Sequence, residues 1–201
     1  MLHQEPSTQH LVSHGAHWPF GGGFNTSRKL IRTNKGDTMP RIYGPCQTVL
    51  VTCREEIEFM GKKKAIDNII TLDWHMPVSF EPFLYAIAVG KKRASYELIK
   101  KSKVFIVNFI PFTLKDAALF CGRHSGLHHD KFLETKLTKI EAEHVDCPRI
   151  KEATGYLECH VINEIDAGDH VIFVGEVAYE HLKGEEKRLF HDGEDHFLTM
   201  G

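Results

Sequence analysis

Two alternating segments, Gly155 to Glu164 and Asp169 to Glu180, are separated only by a turn at Ala167-Gly168-Asp169. A period of two marks a strand with unlike faces, and so short a link returns the chain antiparallel. In DHVIFVGEV the period sets His170, Ile172, Val174 and Glu176 on one face, with Val171, Phe173, Gly175 and Val177 on the other. Further strands are predicted over Gln47 to Cys53, Ala65 to Ile70, Phe83 to Val89 and Lys103 to Phe109. Thr71 to Glu81 reads as an irregular loop between two of them. Helices are few: Ser95 to Ser102, with Ser95 as N-cap, and Thr113 to Gly122, with Thr113 as N-cap and Gly122 at its end. Many strands and few helices predict a mainly β fold, a closed or nearly closed antiparallel, Greek-key-like barrel whose edges are removed by pairing.

Residues Asp67 to Phe109 carry the chemistry. In FLYAIAV the bulky Phe83, Tyr85, Ile87 and Val89 point one way and Leu84, Ala86 and Ala88 the other, so one apolar face is shallow enough for a planar ligand. Beside it, Arg93 precedes a helix start, where unpaired N–H groups and the positive end of the dipole suit a phosphate. Two readings stand for this segment: an anion site built on Arg93 and Ser95, or a solvated basic turn of Lys91, Lys92 and Arg93 with Ser95 as a cap.

At 201 residues and 42% hydrophobic, the chain has enough apolar surface for one well-buried domain. The net charge of −2 gives no overall basic field for nucleic acid, and no polybasic segment suits an anionic membrane. Five cysteines, Cys46, Cys53, Cys121, Cys147 and Cys159, are odd in number and contain no C-x-x-C pair. Most read as small buried hydrophobes of a cytoplasmic protein; Cys121, beside Gly122, is the exception, with packing the favoured reading and a reactive thiol the other. Residues 1–38 hold four histidines and a triple glycine without apolar periodicity, and are expected to be a flexible or non-native extension ahead of a domain spanning 39–201. No metal site is expected, there or in the His124, His128, His129 and Asp130 cluster, which Gly126 interrupts. Neither G-x-G-x-x-G nor a P-loop is present, so a nicotinamide cofactor would visit a preformed site.

Taken in order, N-x-x-T-x-x-W (Asn68, Thr71, Trp74), S-x-x-P (Ser79, Pro82), R-x-S (Arg93, Ser95) and F-x-V-N (Phe105, Val107, Asn108) resemble the flavin reductase-like proteins with the FMN-binding split barrel, including flavoredoxin. The run S-G-x-x-x-D-K-F (Ser125, Gly126, Asp130, Lys131, Phe132) and the strand Gly168 to Val177 are similar to that family too, and the likeness runs from about Tyr43 to the C-terminus. One departure is that the proline after Ser79 is often doubled in the family, whereas Pro82 here precedes Phe83. Another is that this loop carries His75 and Glu81.

The resemblance implies an FMN-binding oxidoreductase that takes hydride from NADH or NADPH, a transient donor docking on the exposed flavin face, and passes electrons to an acceptor. Arg93, Ser95, Thr71 and Lys131 would hold the phosphate. Asn68, Trp74 and the Ser79, Phe80, Glu81 and Pro82 segment would border the cofactor, and His170 would stand on the reactive side. A structural role for His170 remains the other reading of its position. The resemblance further implies a homodimer with FMN near the subunit boundary. Two other readings stay open: a flavoredoxin-like electron carrier reduced by a protein partner, and a non-redox flavin-binding protein.

Overall fold

A computed structural model describes residues 44–59, 61–184 and 186–200. The expected N-terminal extension, 1–38, lies outside them. In chain order the elements are β1 (Cys46–Gln47), β2 (Val49–Phe59), β3 (Lys62–Leu72), β4 (His75–Ser79), β5 (Leu84–Gly90), α1 (Ala94–Ser102) and β6 (Val104–Phe109). A 3-10 turn (Phe112–Leu114) then leads into α2 (Lys115–Arg123) and α3 (Lys131–Thr135). Next come β7 (Lys139–Glu141), β8 (Pro148–Ile150), β9 (Gly155–Ala167), β10 (His170–Leu182), β11 (Arg188–His191) and β12 (Phe197–Met200).

Seven strands form one antiparallel sheet in the order β3-β2-β6-β9-β10-β5-β4. Its two outermost strands, β3 and β4, are consecutive in the chain and joined only by Asp73 and Trp74. A link of two residues spans well under 15 Å (~3.5 Å per residue), so the sheet must curl until its edges meet at this seam. The result is a barrel split along one side. The expected hairpin is present as β9 and β10, whose buried Val171, Phe173 and Gly175 alternate with more open His170, Ile172 and Val174. A Cβ on Gly175 would lie 2.7 Å from Phe105 and 2.8 Å from Cys159, so only glycine fits there, where the β9–β10 register shifts.

Strand alternation sorts the core into layers. Val49, Val51 and Cys53 of β2 join Ile70, Ile87, Phe105, Val107 and Phe173 inside the barrel, with Leu98 and Ile99 of α1 closing it. The intervening Leu50 and Ile69 face the other way, against Ala118 and Cys121 of α2, Phe132 of α3 and Leu189 of β11. Each such side chain contributes roughly 1.5–3 kcal/mol on burial, and this second layer is what presses α2 and α3 onto the β3 side of the barrel. Asn108, fully buried on β6, secures the join by donating to the Leu50 carbonyl and to Thr52 Oγ while accepting from Ile150 N–H at 3.0 Å.

The expected 71–81 loop is corrected: Thr71 and Leu72 end β3, and His75–Ser79 is the edge strand β4. Pairing with β5 makes it a strand, and His75 anchors it, its ring meeting the Tyr85 hydroxyl at 2.7 Å and the Gln47 carbonyl at 2.9 Å. Thr113 is not a helix cap either: it lies within the 3-10 turn, and α2 begins after Leu114. Among the described residues no helix is long and apolar enough to cross a membrane.

Candidate functional site

The start of α1 and the segment after α2 face each other across Asn68 of β3, enclosing a pocket of about 110 Å³. That volume suits a phosphate-sized group and is well below the roughly 300–1,000 Å³ of a site for a whole ligand. Four cationic side chains line it, Lys92, Arg93, Arg123 and Lys131, and no Asp or Glu does. Arg123 is paired with Asp195. Among the described residues the other three have no carboxylate partner.

Lys131 is the most telling of these. It is 3% exposed, and its ammonium donates only to the carbonyls of Ile69 (2.5 Å) and Cys121 (2.7 Å). Burial lowers its pKa from the ordinary lysine value. A buried ammonium without a counter-ion is costly, and an anion in the pocket offsets that cost. The resemblance suggested a direct contact; the geometry makes Lys131 a charge held beneath the pocket by two carbonyls, with one N–H left over.

Ser95 was expected to cap α1. Arg93 occupies that position instead, with extended backbone and no side-chain cap, so the first N–H groups of the helix are left for the pocket. Ser95 is the second helical residue, buried, and its Oγ accepts from Asn68 Nδ2 at 2.8 Å. Asn68 Oδ1 is buried without a partner. A Cβ on Gly126 would overlap that oxygen, so the loop after α2 packs directly on Asn68 only because residue 126 has no side chain. Beyond Gly126 a wider cleft of about 580 Å³ opens between β3 and α3, but Asp67 and Asp130 line it alongside Lys136 and Lys139. Its mixed charge distinguishes it from the carboxylate-free pocket.

A second group adjoins the pocket. His170 pairs with Gly90 across β10 and β5, and Gly90 lies three residues before Arg93, whose N–H it receives at 2.9 Å. The Trp74 ring stands 4.8 Å from the His170 ring, tilted by 44°. His170 Nδ1 donates to Asp169 at 2.7 Å, leaving Nε2 on the Gly90 side. Asn68, Ser95, Arg93, Lys131, His170 and Trp74 are thereby brought into one neighbourhood.

Other expected residues lie elsewhere. Thr71 does not line the pocket, because its hydroxyl donates to the Ala118 carbonyl at 2.6 Å and fastens β3 to α2. Ser79, Phe80, Glu81 and Pro82 sit at the far end of the β4–β5 hairpin. Ser79 is level with Leu84, whereas Trp74 meets Ala88, four residues along β5 and roughly 13 Å away at 3.3 Å per residue. Phe80 is 96% exposed there. Within one chain this turn is separate from the pocket. Cys121 lines the pocket, but burial pushes its thiol up to about 11, in keeping with a packing role. Arg123, which also lines the pocket, carries no local sequence signal that singles it out. Basic residues in the last turn of a helix are common for dipole reasons alone, so only the fold reveals where it points.

Residues 44–199 match the family described as flavin reductase like domain. Among similar curated proteins, an uncharacterized protein of Archaeoglobus fulgidus is 38% identical over 56% of this chain and 63% of its own length. Another, of Aeropyrum pernix, is 32% identical over 70% of this chain and 51% of its own. The chain thus spans about half to two thirds of these relatives. Among solved structures, flavoredoxin of Desulfovibrio vulgaris superposes with a TM-score of 0.70 at 21% identity, covering 84% of this chain and 93% of that one. An FMN-binding protein of Thermus thermophilus gives 0.69 at 22%, covering 84% and 96%. At these identities the likeness establishes the antiparallel split-barrel fold, while the match over 44–199 establishes descent: this chain belongs to the flavin reductase like domain family.

Proposed function

We propose that this chain is an FMN-binding oxidoreductase that takes reducing equivalents from NADH or NADPH and delivers them to an acceptor. The observation that carries the reading is the pocket at the start of α1, with four cations, no carboxylate and a buried lysine lacking a counter-ion. Its chemistry fits a phosphate monoester, and Asn68 Oδ1, orphaned beside it, supplies an acceptor for a hydroxyl-rich chain attached to that phosphate. Arg93 would grip phosphate oxygens, the uncapped helix start would donate N–H bonds, and Lys131 would neutralise charge from below.

Bound FMN would supply the redox chemistry, accepting a hydride from a nicotinamide. The protein's own residues orient and shield. Trp74 and His170 form a tilted wall next to Gly90, whose lack of a side chain leaves room beside the His170 ring. Asp169 fixes the tautomer of His170 with the proton on Nδ1, so Nε2 is presented as a hydrogen-bonding atom. A relative named as the reductase component of a flavin-dependent trigonelline monooxygenase of Acinetobacter baylyi supports the reductase reading, and a fold neighbour named as an NADH:FAD oxidoreductase of Streptomyces globisporus supports a nicotinamide donor.

A homodimer belongs to this proposal. Met76, Val78 and Phe80, exposed along edge strand β4 and its turn, form an apolar strip suited to a second copy. A monomer by light scattering at micromolar concentration would remove that part. The main test is the absorption spectrum of the purified protein, with mass identification of any released cofactor, before and after anaerobic NADH or NADPH. Bound FMN that bleaches rapidly supports the reading. FMN that stays oxidised favours an electron carrier fed by a protein partner, and no flavin after reconstitution overturns both.

A further inference from the structure

The seam at Asp73 and Trp74 is held from outside the seven-stranded sheet. Thr48 Oγ donates to Asp73 Oδ1 at 2.7 Å, and His191 Nδ1 stands 2.6 Å from Asp73 Oδ2. The other ring nitrogen of His191, Nε2, stands 2.7 Å from the Glu194 carbonyl. A carboxylate and a carbonyl only accept hydrogen bonds, so satisfying both requires a proton on each nitrogen, which makes the ring an imidazolium. His75, one residue past the seam, differs: its partners are a carbonyl and a hydroxyl, and the hydroxyl can donate, so a neutral ring satisfies both. Burial correspondingly lowers the His75 pKa.

We propose that His191, as an imidazolium, is a positioning residue for the flavin site: it fixes Asp73, and through the adjoining Trp74 it sets the wall that meets His170. This rests on the flavin reading above. The ring sits where three segments converge. Cys46 of β1 is its register partner, Phe197 of β12 stacks on it at 4.8 Å, and the connecting turn brings Asp192, Glu194, Asp195 and His196. Arg123 of α2 engages Asp195, so Asp73 is the carboxylate that bonds His191 directly. Burial opposes charge on this ring, but the bonds to Asp73 and to the Glu194 carbonyl outweigh it, and the pKa is raised above the ordinary 6.5. The clasp is therefore complete below the unfolded value of 6.5 and loosens as pH rises through the raised folded value. Deprotonation forfeits one of the two bonds, while Thr48 keeps its own.

The experiment uses the full chain carrying Trp18→Phe, which leaves Trp74 as the single tryptophan. Ring nitrogen shifts of assigned histidines, Trp74 emission and flavin affinity are followed from pH 5.5 to 9. The expected result is a doubly protonated His191 at pH 6, with Trp74 emission following the His191 midpoint. Flavin affinity should fall about tenfold across it, the ratio that one hydrogen bond of ordinary worth corresponds to. His191→Gln should remove from both readouts the component that follows the His191 midpoint, leaving that component at its high-pH value. His170 touches Trp74 directly, so emission that tracks the His170 midpoint instead overturns the proposal, as does a neutral His191 at pH 6 or an unchanged profile in His191→Gln. If that variant does not fold, coincidence of the His191 and Trp74 midpoints decides alone. A protein that binds no flavin at any pH sinks the flavin reading, while the ring shifts and Trp74 emission still decide whether His191 holds the seam.

Discussion

Asp67 and Asn68 are neighbours on β3, and because strand side chains alternate they serve two cation-rich regions of opposite character. On the Asp67 side, Arg54 is engaged by Asp67 at 2.6 Å, Glu141 at 2.7 Å and Asp146 at 2.9 Å, with Lys139 also on Asp67 at 2.8 Å. On the Asn68 side, Lys92, Arg93 and Lys131 face a pocket that no carboxylate enters. The first region is electrostatically complete and the second is not. Positive charge alone therefore says little about function; what marks a binding site is positive charge that the fold has left unanswered, at least one of it buried. The comparison implies that substitutions on the two sides separate cleanly, those near Arg54 altering stability and those near Arg93 altering ligand binding.

The largest expected effect lies on the open side. Arg93→Ala removes an exposed guanidinium that makes no side-chain bond to the described protein, so unfolding should shift by less than about 0.5 kcal/mol. FMN affinity should fall on the order of a hundredfold, the worth of a charge-assisted phosphate contact. Titration calorimetry and urea unfolding on one preparation check both, and equal losses in the two would break the comparison.

Gly126→Ala comes next and strikes the partition itself. A methyl there overlaps Asn68 Oδ1, a buried atom whose side chain is already tied to Ser95. Relief requires the 124–131 segment or the Asn68–Ser95 pair to move, at about 1–3 kcal/mol. Both stability and flavin affinity should suffer, unlike in Arg93→Ala. Gly126→Ala with wild-type flavin affinity would mean that the Asn68–Ser95 pair does not shape the site.

How far the sequence carried depended on whether a feature was local. The β9–β10 hairpin, the FLYAIAV strand and the α1 helix announce themselves by period and turn, and Arg93, Ser95 and Lys131, which the resemblance singles out, line one pocket. Ser95 looks like a cap because it is a serine ahead of a helical run, but its partner, Asn68, lies 27 residues away. Thr71, which the resemblance sets among the phosphate residues, gives its hydroxyl to a carbonyl 47 residues on. The β11–β12 hairpin and the His191 contact to Asp73, 118 residues apart, leave no local signature at all. β4 escaped because its proline, polar ends and exposed face resemble a loop, while the pairing that makes it a strand comes from β5 and its anchor is His75.

On the closed side, Arg54→Ala should cost about 1–2 kcal/mol of stability, less than breaking a fully buried pair because Arg54 and Asp67 remain 20% and 18% exposed. Flavin affinity should stay within about twofold. A hundredfold loss of flavin in this variant would show that the two faces of β3 are coupled through Asp67 and Asn68, and the separation drawn above would have to be abandoned.

The smallest effect is the acid dependence of that same cluster. Burial pushes the Asp67 carboxyl up, but hydrogen bonds and charge from Arg54 and Lys139 outweigh it, and the net pKa lies below the ordinary value of 3.8. A carboxyl depressed in the folded state stabilises fully above its unfolded pKa, and that contribution fades as pH falls through the folded value. Stability measured by urea from pH 6 to pH 3 should therefore decline in the wild type, with Asp67 contributing a share that Arg54→Ala removes. The difference between wild type and variant should be nearly constant above pH 5 and shrink below pH 4. Arg93→Ala, which touches no carboxylate, should run parallel to the wild type throughout. A variant curve for Arg54→Ala that also runs parallel down to pH 3 would mean that Lys139 alone holds Asp67 ionised, and that the closed region is kept complete by fewer charges than its geometry displays.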